Sequence, residues 1–256
     1  MVPAIVSLSI LAVLVLATHI GLRLRAFLPD HHLSNETKDA VRIGMGSVAT
    51  MAALVLGLLV TSTKSAYDAE KSEVVQISAK AVYLDQLLAN CGEHAAESRE
   101  ALRAAVEAAI VRIWPNVAMG SDSRHSLATD PGPMWTRTLP ESIQRMTPTD
   151  DTQRAFKGQA AQLASDLGQM RWLLFEQSES SISVPLLVIM VSWLALTFVS
   201  VGLFAPRNAT VFIAQFCAAL SIAGAIFLIL ELDQPFGGLI EIPSTSMVDA
   251  LNHMGH

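Results

Sequence analysis

The chain has 256 residues, 52% of them hydrophobic, and only 16% are Asp, Glu, Lys or Arg, well under the roughly 25% usual in soluble domains. A net charge of −6 with no basic stripe excludes a nucleic-acid partner. Two cysteines, Cys91 and Cys217, exclude a disulfide framework and a thiol-based metal site.

The apolar residues are clustered, and the first cluster is Val2–Leu22. It exceeds the roughly 20 apolar residues that span a bilayer. No basic stretch precedes it, and Arg23 and Arg25 follow it. It is therefore expected to be a retained membrane helix, not a signal peptide. His19 lies near its end, an ionisable group to note in a membrane segment. The next loop carries Pro29, His31, His32 and the helix-starting stretch Ser34-Asn35-Glu36. The two histidines beside Asp30 are sequence neighbours without helical spacing, so no metal is assigned to them.

Gly44–Thr63 is the second spanning run. Its start, Gly44-Met45-Gly46-Ser47-Val48-Ala49, fits a loose dinucleotide pattern, but it opens a membrane helix and follows no strand, so no cofactor is expected. Ala53, Gly57 and Thr61 share one face of this helix at four-residue spacing. Such faces allow close helix contact in lipid, either inside one protomer, the simpler reading, or between copies around a pore. Ala214 with Ala218, and Ser221 with Ala225, repeat the spacing later in the chain.

Lys64 to Ser183 reads as a helical insert. Tyr67, Val74, Ile77, Ala81, Leu84, Leu88 and Cys91 follow a coiled-coil seam in which Glu70 is the one polar site. Gly92 ends that helix. Leu102, Val106, Ala109 and Ile113 mark a second helix, stopped by Pro115. Residues 116–148 are rich in Pro, Gly, Ser, Thr and Asp and read as a loop. A third helix starts near Thr149-Asp150-Asp151 and carries Phe156, Ala160, Leu163, Leu167, Met170 and Leu174 at steps of 3 and 4. No breaker separates the first and third insert helices from the membrane runs, so each is expected to leave the bilayer unbroken and join a stalk. Arg171 and Trp172 suit the headgroup zone.

Val184–Phe204 and Ala209–Leu230 are the last two spanning runs. The four residues between them make these helices antiparallel neighbours. The expected fold is an all-α membrane protein: four transmembrane helices with a helical stalk between the second and third. Its parts are a first hairpin (1–63), the stalk (64–183), a second hairpin (184–231) and a C-terminal turn and tail (232–256), with His253 and His256 in a frayed end. Near the membrane ends, Arg23, Arg25, Lys38, Arg42 and Arg207 stand on one side and Lys64, Lys71, Lys80 and Arg171 on the other. The positive-inside rule therefore barely separates the two sides, and termini free of Lys and Arg lean toward an external stalk.

The fourth run ends on Glu231 and Asp233, then breaks at Gln234-Pro235-Phe236-Gly237-Gly238. Acids are disfavoured at a helix C-terminus, which already carries partial negative charge. Lys64 and Arg171 lie at the same membrane face, because the chain crosses the bilayer twice after the stalk. Glu231, Asp233, Lys64 and Arg171 therefore form a candidate ion or salt-bridge site. Alternatively, several copies would gather their carboxylates into a ring, or the two acids are simply solvated at the interface. No nucleophile, base or cofactor cradle assembles, so no enzyme and no resident metal is expected.

The stretch Gly57–Glu70, RWLLFEQ at 171–177, GLFAPRNAT at 202–210 and FLILELDQPFGGLIEI at 227–242 together resemble the bestrophin-like domain family of bacterial membrane proteins, a domain of unknown function. Bestrophins proper are more distantly similar. That likeness implies four membrane helices, a helical cytosolic part and a pentameric anion channel, gated by Ca²⁺ in animals. Gln234-Pro235-Phe236-Gly237 is similar to the Asn-Pro-Phe-Gly turn after their last membrane helix. Gly238-Leu239-Ile240 then replaces their acidic cluster and leaves Glu241, and the second helix lacks their neck phenylalanines. The expected function is an oligomeric bestrophin-like ion channel in the bacterial inner membrane, with the lipid bilayer and further copies of itself as partners. The alternative is a non-conducting scaffold or sensor whose stalk binds a protein.

Overall fold

The computed structural model describes residues 2–29, 34–115, 134–177, 184–206 and 208–254. They form α1 (Val2–Leu24), α2 (Asn35–Ala89), a 3₁₀ turn (Gly92–Ala95) and α3 (Ala96–Ile113). A π turn (Met134–Thr138) then leads into α4 (Leu139–Arg145), followed by α5 (Asp151–Gln177), α6 (Val184–Phe204), α7 (Ala209–Leu232) and α8 (Thr245–His253). No strand occurs among the described residues. α1, α2, α6 and α7 are long and apolar enough to cross a membrane, so the fold is the all-α, four-span membrane architecture with a helical insert. The chain divides into two compact units: Met1–Tyr67 with Ser180–Ile240, and Asp68–Glu179 with Glu241–His256.

In the membrane unit α1 packs along α6 and α7. Its buried residues, Pro3, Ser7, Ile10, Leu14, Ala17, Thr18 and Gly21, fall on one helical face. They meet Met190 and Phe198 of α6 and Ala219, Ile226 and Ile229 of α7, and α2 adds Leu59 to the same core. The opposite face of α1 exposes Val2, Ile5, Leu8, Val13, Leu16 and Ile20. Apolar side chains outside a well-packed core are the pattern expected when lipid is the solvent.

Two glycines set the closest crossing. A Cβ on Gly21 would sit 2.2 Å from the Val199 carbonyl oxygen, and one on Gly202 would sit 2.5 Å from that of Thr18. The backbones of α1 and α6 approach here because neither helix carries a side chain at the contact. Arg25 closes the same end by donating to the Ala205 carbonyl at 2.5 Å, satisfying an oxygen that α6 leaves without an intrahelical donor. Asn208 caps α7 by accepting from the Val211 N–H at 3.0 Å. His19 is exposed and stands edge-on to the Phe212 ring at 5.4 Å.

The second unit is built on the seam read from the sequence. Val74, Ile77, Ala81, Leu84, Leu88 and Cys91 are all buried. They share the interior with Leu102 and Val106 of α3, Leu139 and Ile143 of α4, Ala160 and Leu167 of α5, and Met247 and Ala250 of α8. Gly92 adopts φ +68, a conformation that suits glycine and ends the helix. Asp85, nearly buried, takes a two-pronged bond from Arg99 at 2.8 and 2.9 Å, and this bond holds the Arg99 guanidinium above its ordinary pKa. α5 begins as expected: Asp150 accepts from the Gln153 N–H at 2.6 Å, and Gln153 accepts from the Thr149 N–H at 2.9 Å.

Two expectations are corrected. The stretch 116–148, read as loop, contains the π turn and α4 over Met134–Arg145. Trp135, Leu139 and Ile143 of that segment are among the most deeply buried side chains of the unit. Its Pro and Thr content masked a helix too short to show a long period, and Pro140 sits in the first turn, where proline is tolerated. The C-terminal stretch, read as turn and frayed tail, holds α8, which packs on α3. Met247, Ala250 and Met254 are buried, and the Trp114 indole N–H donates to the Ile242 carbonyl at 2.7 Å. Residues 116–133, His31, His32, Arg207, His256 and the expected helix continuity across 178–183 lie outside the described residues.

Candidate functional site

The last turn of α7 resolves the puzzle of its acids. Glu231 is 4% exposed. Its Oε2 accepts the Leu239 N–H at 2.6 Å, a charge-assisted bond that offsets the unfavourable helix end. The intervening turn is tight. The Gln234 N–H donates to Glu231 O at 3.1 Å, and the Gly237 N–H to Gln234 O at 3.2 Å. Pro235 is buried and has no N–H to continue the helix. A Cβ on Gly238 would meet the Glu231 carboxylate oxygen at 2.4 Å. Glu231, Gln234, Pro235, Phe236, Gly237 and Gly238 therefore form one structural unit in which the acid clasps the turn.

Asp233 is half-buried at the C-cap position of α7, with its N–H donating to Ile229 O at 3.1 Å. Lys64 is exposed, and its ammonium stands 5.2 Å from the Tyr67 ring centroid, within cation–π range. Arg171 belongs to α5 in the other unit and is half-buried; its neighbour Trp172 is 60% exposed.

The second candidate is a face of α2. Ala53, Gly57 and Thr61 are all exposed in the single chain. Packing inside the protomer falls instead to Val55, Leu56, Leu59 and Val60, on the opposite side of the helix. The exposed side runs Ser47, Thr50, Leu54, Leu58, Thr61 and Ser65. The hydroxyls of Ser47, Thr50 and Thr61 donate to carbonyls four residues back at 3.3, 2.9 and 2.9 Å, so each proton is satisfied within the helix. Sequence spacing shows the small stripe, but nothing local says which side of an uncharged span packs. Among the described residues no three of His, Cys, Asp and Glu converge as metal ligands.

The pattern that defines the bestrophin-like domain matches residues 11–247, nearly the whole chain. This chain belongs to the bestrophin-like domain family. Two solved structures of a bacterial bestrophin homologue from Klebsiella pneumoniae, each with one substitution, are 14% identical to this bestrophin-like chain. One covers 97% of this chain and 99% of its own, with a TM-score of 0.67; for the other the values are 96%, 98% and 0.66. A substituted membrane protein is 16% identical over 98% of this chain and 99% of its own, with a TM-score of 0.65. At such identities these likenesses speak to the fold. No curated protein matches.

Proposed function

We propose that this bestrophin-like chain assembles as a homo-oligomeric ring in the bacterial inner membrane and conducts ions along the exposed face of α2. The exposed row of Ser47, Thr50, Leu54, Leu58, Thr61 and Ser65 carries the reading. The row carries four hydroxyls, whereas the outer face of α1 exposes Ser9 among aliphatic side chains. In a ring the same row gives two hydroxyl-lined mouths around a girdle of Leu54 and Leu58, 69% and 68% exposed. A leucine girdle is a constriction that gates by dewetting. On one shoulder of this row Ala53 and Gly57 are small enough for a neighbouring copy to approach closely.

The acids at the end of α7 complete the proposal. Glu231 holds the turn in shape, while Asp233 and Lys64 supply charge at the mouth, as an ion or salt-bridge site. The resemblance to bestrophins supports both ring and pore, and the proposal includes no resident metal or cofactor and no enzymatic activity. The acidic cluster of bestrophins proper is replaced by Gly238-Leu239-Ile240, which favours a pore not gated by Ca²⁺. The native mass of the full chain in mild detergent is the first test: a closed ring supports the pore, and a monomer removes it. Glu231→Gln with Asp233→Asn is expected to leave that mass intact and alter ion selectivity.

The second reading is a non-conducting scaffold. Val75 and Tyr83 stand 48% and 53% exposed on the extramembrane part of α2 and would dock a partner protein. An assembled ring that passes no ion in proteoliposomes favours this reading over the first.

A further inference from the structure

The membrane unit holds a cavity of about 800 Å³ between the early part of α2, the end of α6 and the start of α7. Its origin is visible in the packing. The core takes Val55, Leu56, Leu59 and Val60 from α2. Toward the start of α2, from Ala49 back to Asn35, the helix lines open space instead. The wall changes character with depth. Asn35, Lys38, Asp39 and Arg42 stand at the mouth; below them the wall is mainly apolar, with Met45, Ala49, Val201, Phe204 and Val211, and is interrupted by Thr197, Ser200 and Gln215. Lys38 and Arg42 are one turn apart on the same face. Among the described residues neither forms an ion pair. From Lys38 to Ala49 the rise is about 16 Å, close to the depth of one hydrocarbon leaflet, about 15 Å.

We infer that this cavity binds a singly anionic phospholipid, with its phosphodiester between Lys38 and Arg42 and part of an acyl chain on the apolar wall. Charge and shape both select this occupant. Among the described lining residues, two cations and one carboxylate leave one net positive charge, which a singly anionic headgroup neutralises. Asn35 and Asp39 offer acceptors to headgroup hydroxyls, as a glycerol headgroup would supply. A free phosphate would satisfy the cations but leave the apolar wall unfilled. The volume is within the roughly 300–1,000 Å³ usual for ligand sites. The inference stands whether or not the protein conducts.

Native mass spectrometry of the full-length protein tests it, with phosphatidylglycerol, phosphatidylethanolamine and inorganic phosphate offered in turn. Phosphatidylglycerol adducts are expected at one per protomer, at least tenfold more populated than phosphatidylethanolamine adducts. Lys38→Gln with Arg42→Gln should remove them. Arg23→Gln, which deletes a cation on the same membrane side outside the cavity, should leave them unchanged. Ala49→Phe fills the apolar wall without touching a charge and should also remove them, so the result does not rest on the charge variant alone. Equal binding of the two lipids, equal loss in Arg23→Gln, or full displacement by millimolar phosphate would overturn the proposal. The last outcome would assign the mouth to a soluble anion.

Discussion

Glu231 and Gly238 depend on each other. The carboxylate reaches the Leu239 N–H only because position 238 has no Cβ in its way. Gly238→Ala is expected to cost about 1–3 kcal/mol, as overpacking does, and Glu231→Ala to cost about 1–3 kcal/mol as well, by removing the bond that pins the Leu239 N–H and leaving space where the buried side chain stood. Glu231→Gln should be milder, because its amide oxygen still accepts. Thermal unfolding of the purified protein, followed by intrinsic fluorescence, would rank the three; equal losses in all of them would mean that the clasp does not hold the turn. Glu73, in the second unit, tests electrostatics at the same scale. Burial raises its carboxyl above the ordinary 4.5, and its Oε2 lacks a hydrogen-bond partner among the described residues. The folded state thus binds this proton more tightly than the unfolded chain does. The resulting stabilisation is complete below about pH 4.5 and is lost as pH rises through the raised folded value. Glu73→Gln should therefore raise the unfolding temperature more at about pH 7.5 than at about pH 4. Equal shifts at both pH values would mean that the charge is not what destabilises the fold.

Among the elements, α1 and α6 are fixed by the Gly21–Gly202 crossing. Gly202→Val is expected to push the helices apart and lower thermal stability, whereas Gly224→Val, at a position with open space around it, should not. Similar losses from both would show that the crossing carries no special weight. The spanning helices were legible in the sequence because 20-residue apolar runs have few alternatives. The α2 seam was legible because Val74, Ile77, Ala81, Leu84 and Leu88 keep a coiled-coil period over several turns. α4 and α8 were missed for the converse reason: they are short, and Trp135, Leu139, Ile143, Met247 and Ala250 reveal their burial only through tertiary contacts. The clasp at Glu231 was half legible. An acid beside a Pro-Phe-Gly-Gly break signals a partner, but a backbone N–H eight residues on leaves no mark in a sequence. The outward face of α2 was illegible because a Ser or Thr that bonds to its own helix suits lipid, a pore or a packed interior alike until the neighbours are placed.

At the scale of the whole molecule, α2 leaves a face of hydroxyls and leucines uncovered, and the proposed ring of copies would give that face a use. The girdle makes a specific demand. Leu58→Ala should widen the constriction and increase ion flux in proteoliposomes severalfold, while Leu8→Ala, on the lipid-facing side of α1, should leave flux unchanged. The most direct test is thiol modification of Thr61→Cys in a Cys217→Ser background. Cys217 is exposed and must be removed, whereas Cys91 is buried. A pore along α2 predicts that a charged methanethiosulfonate reagent blocks flux through Thr61→Cys proteoliposomes and spares the parent. Flux that persists after complete modification of Thr61→Cys would contradict a pore on this face, and the absence of flux from the parent protein would contradict conduction itself.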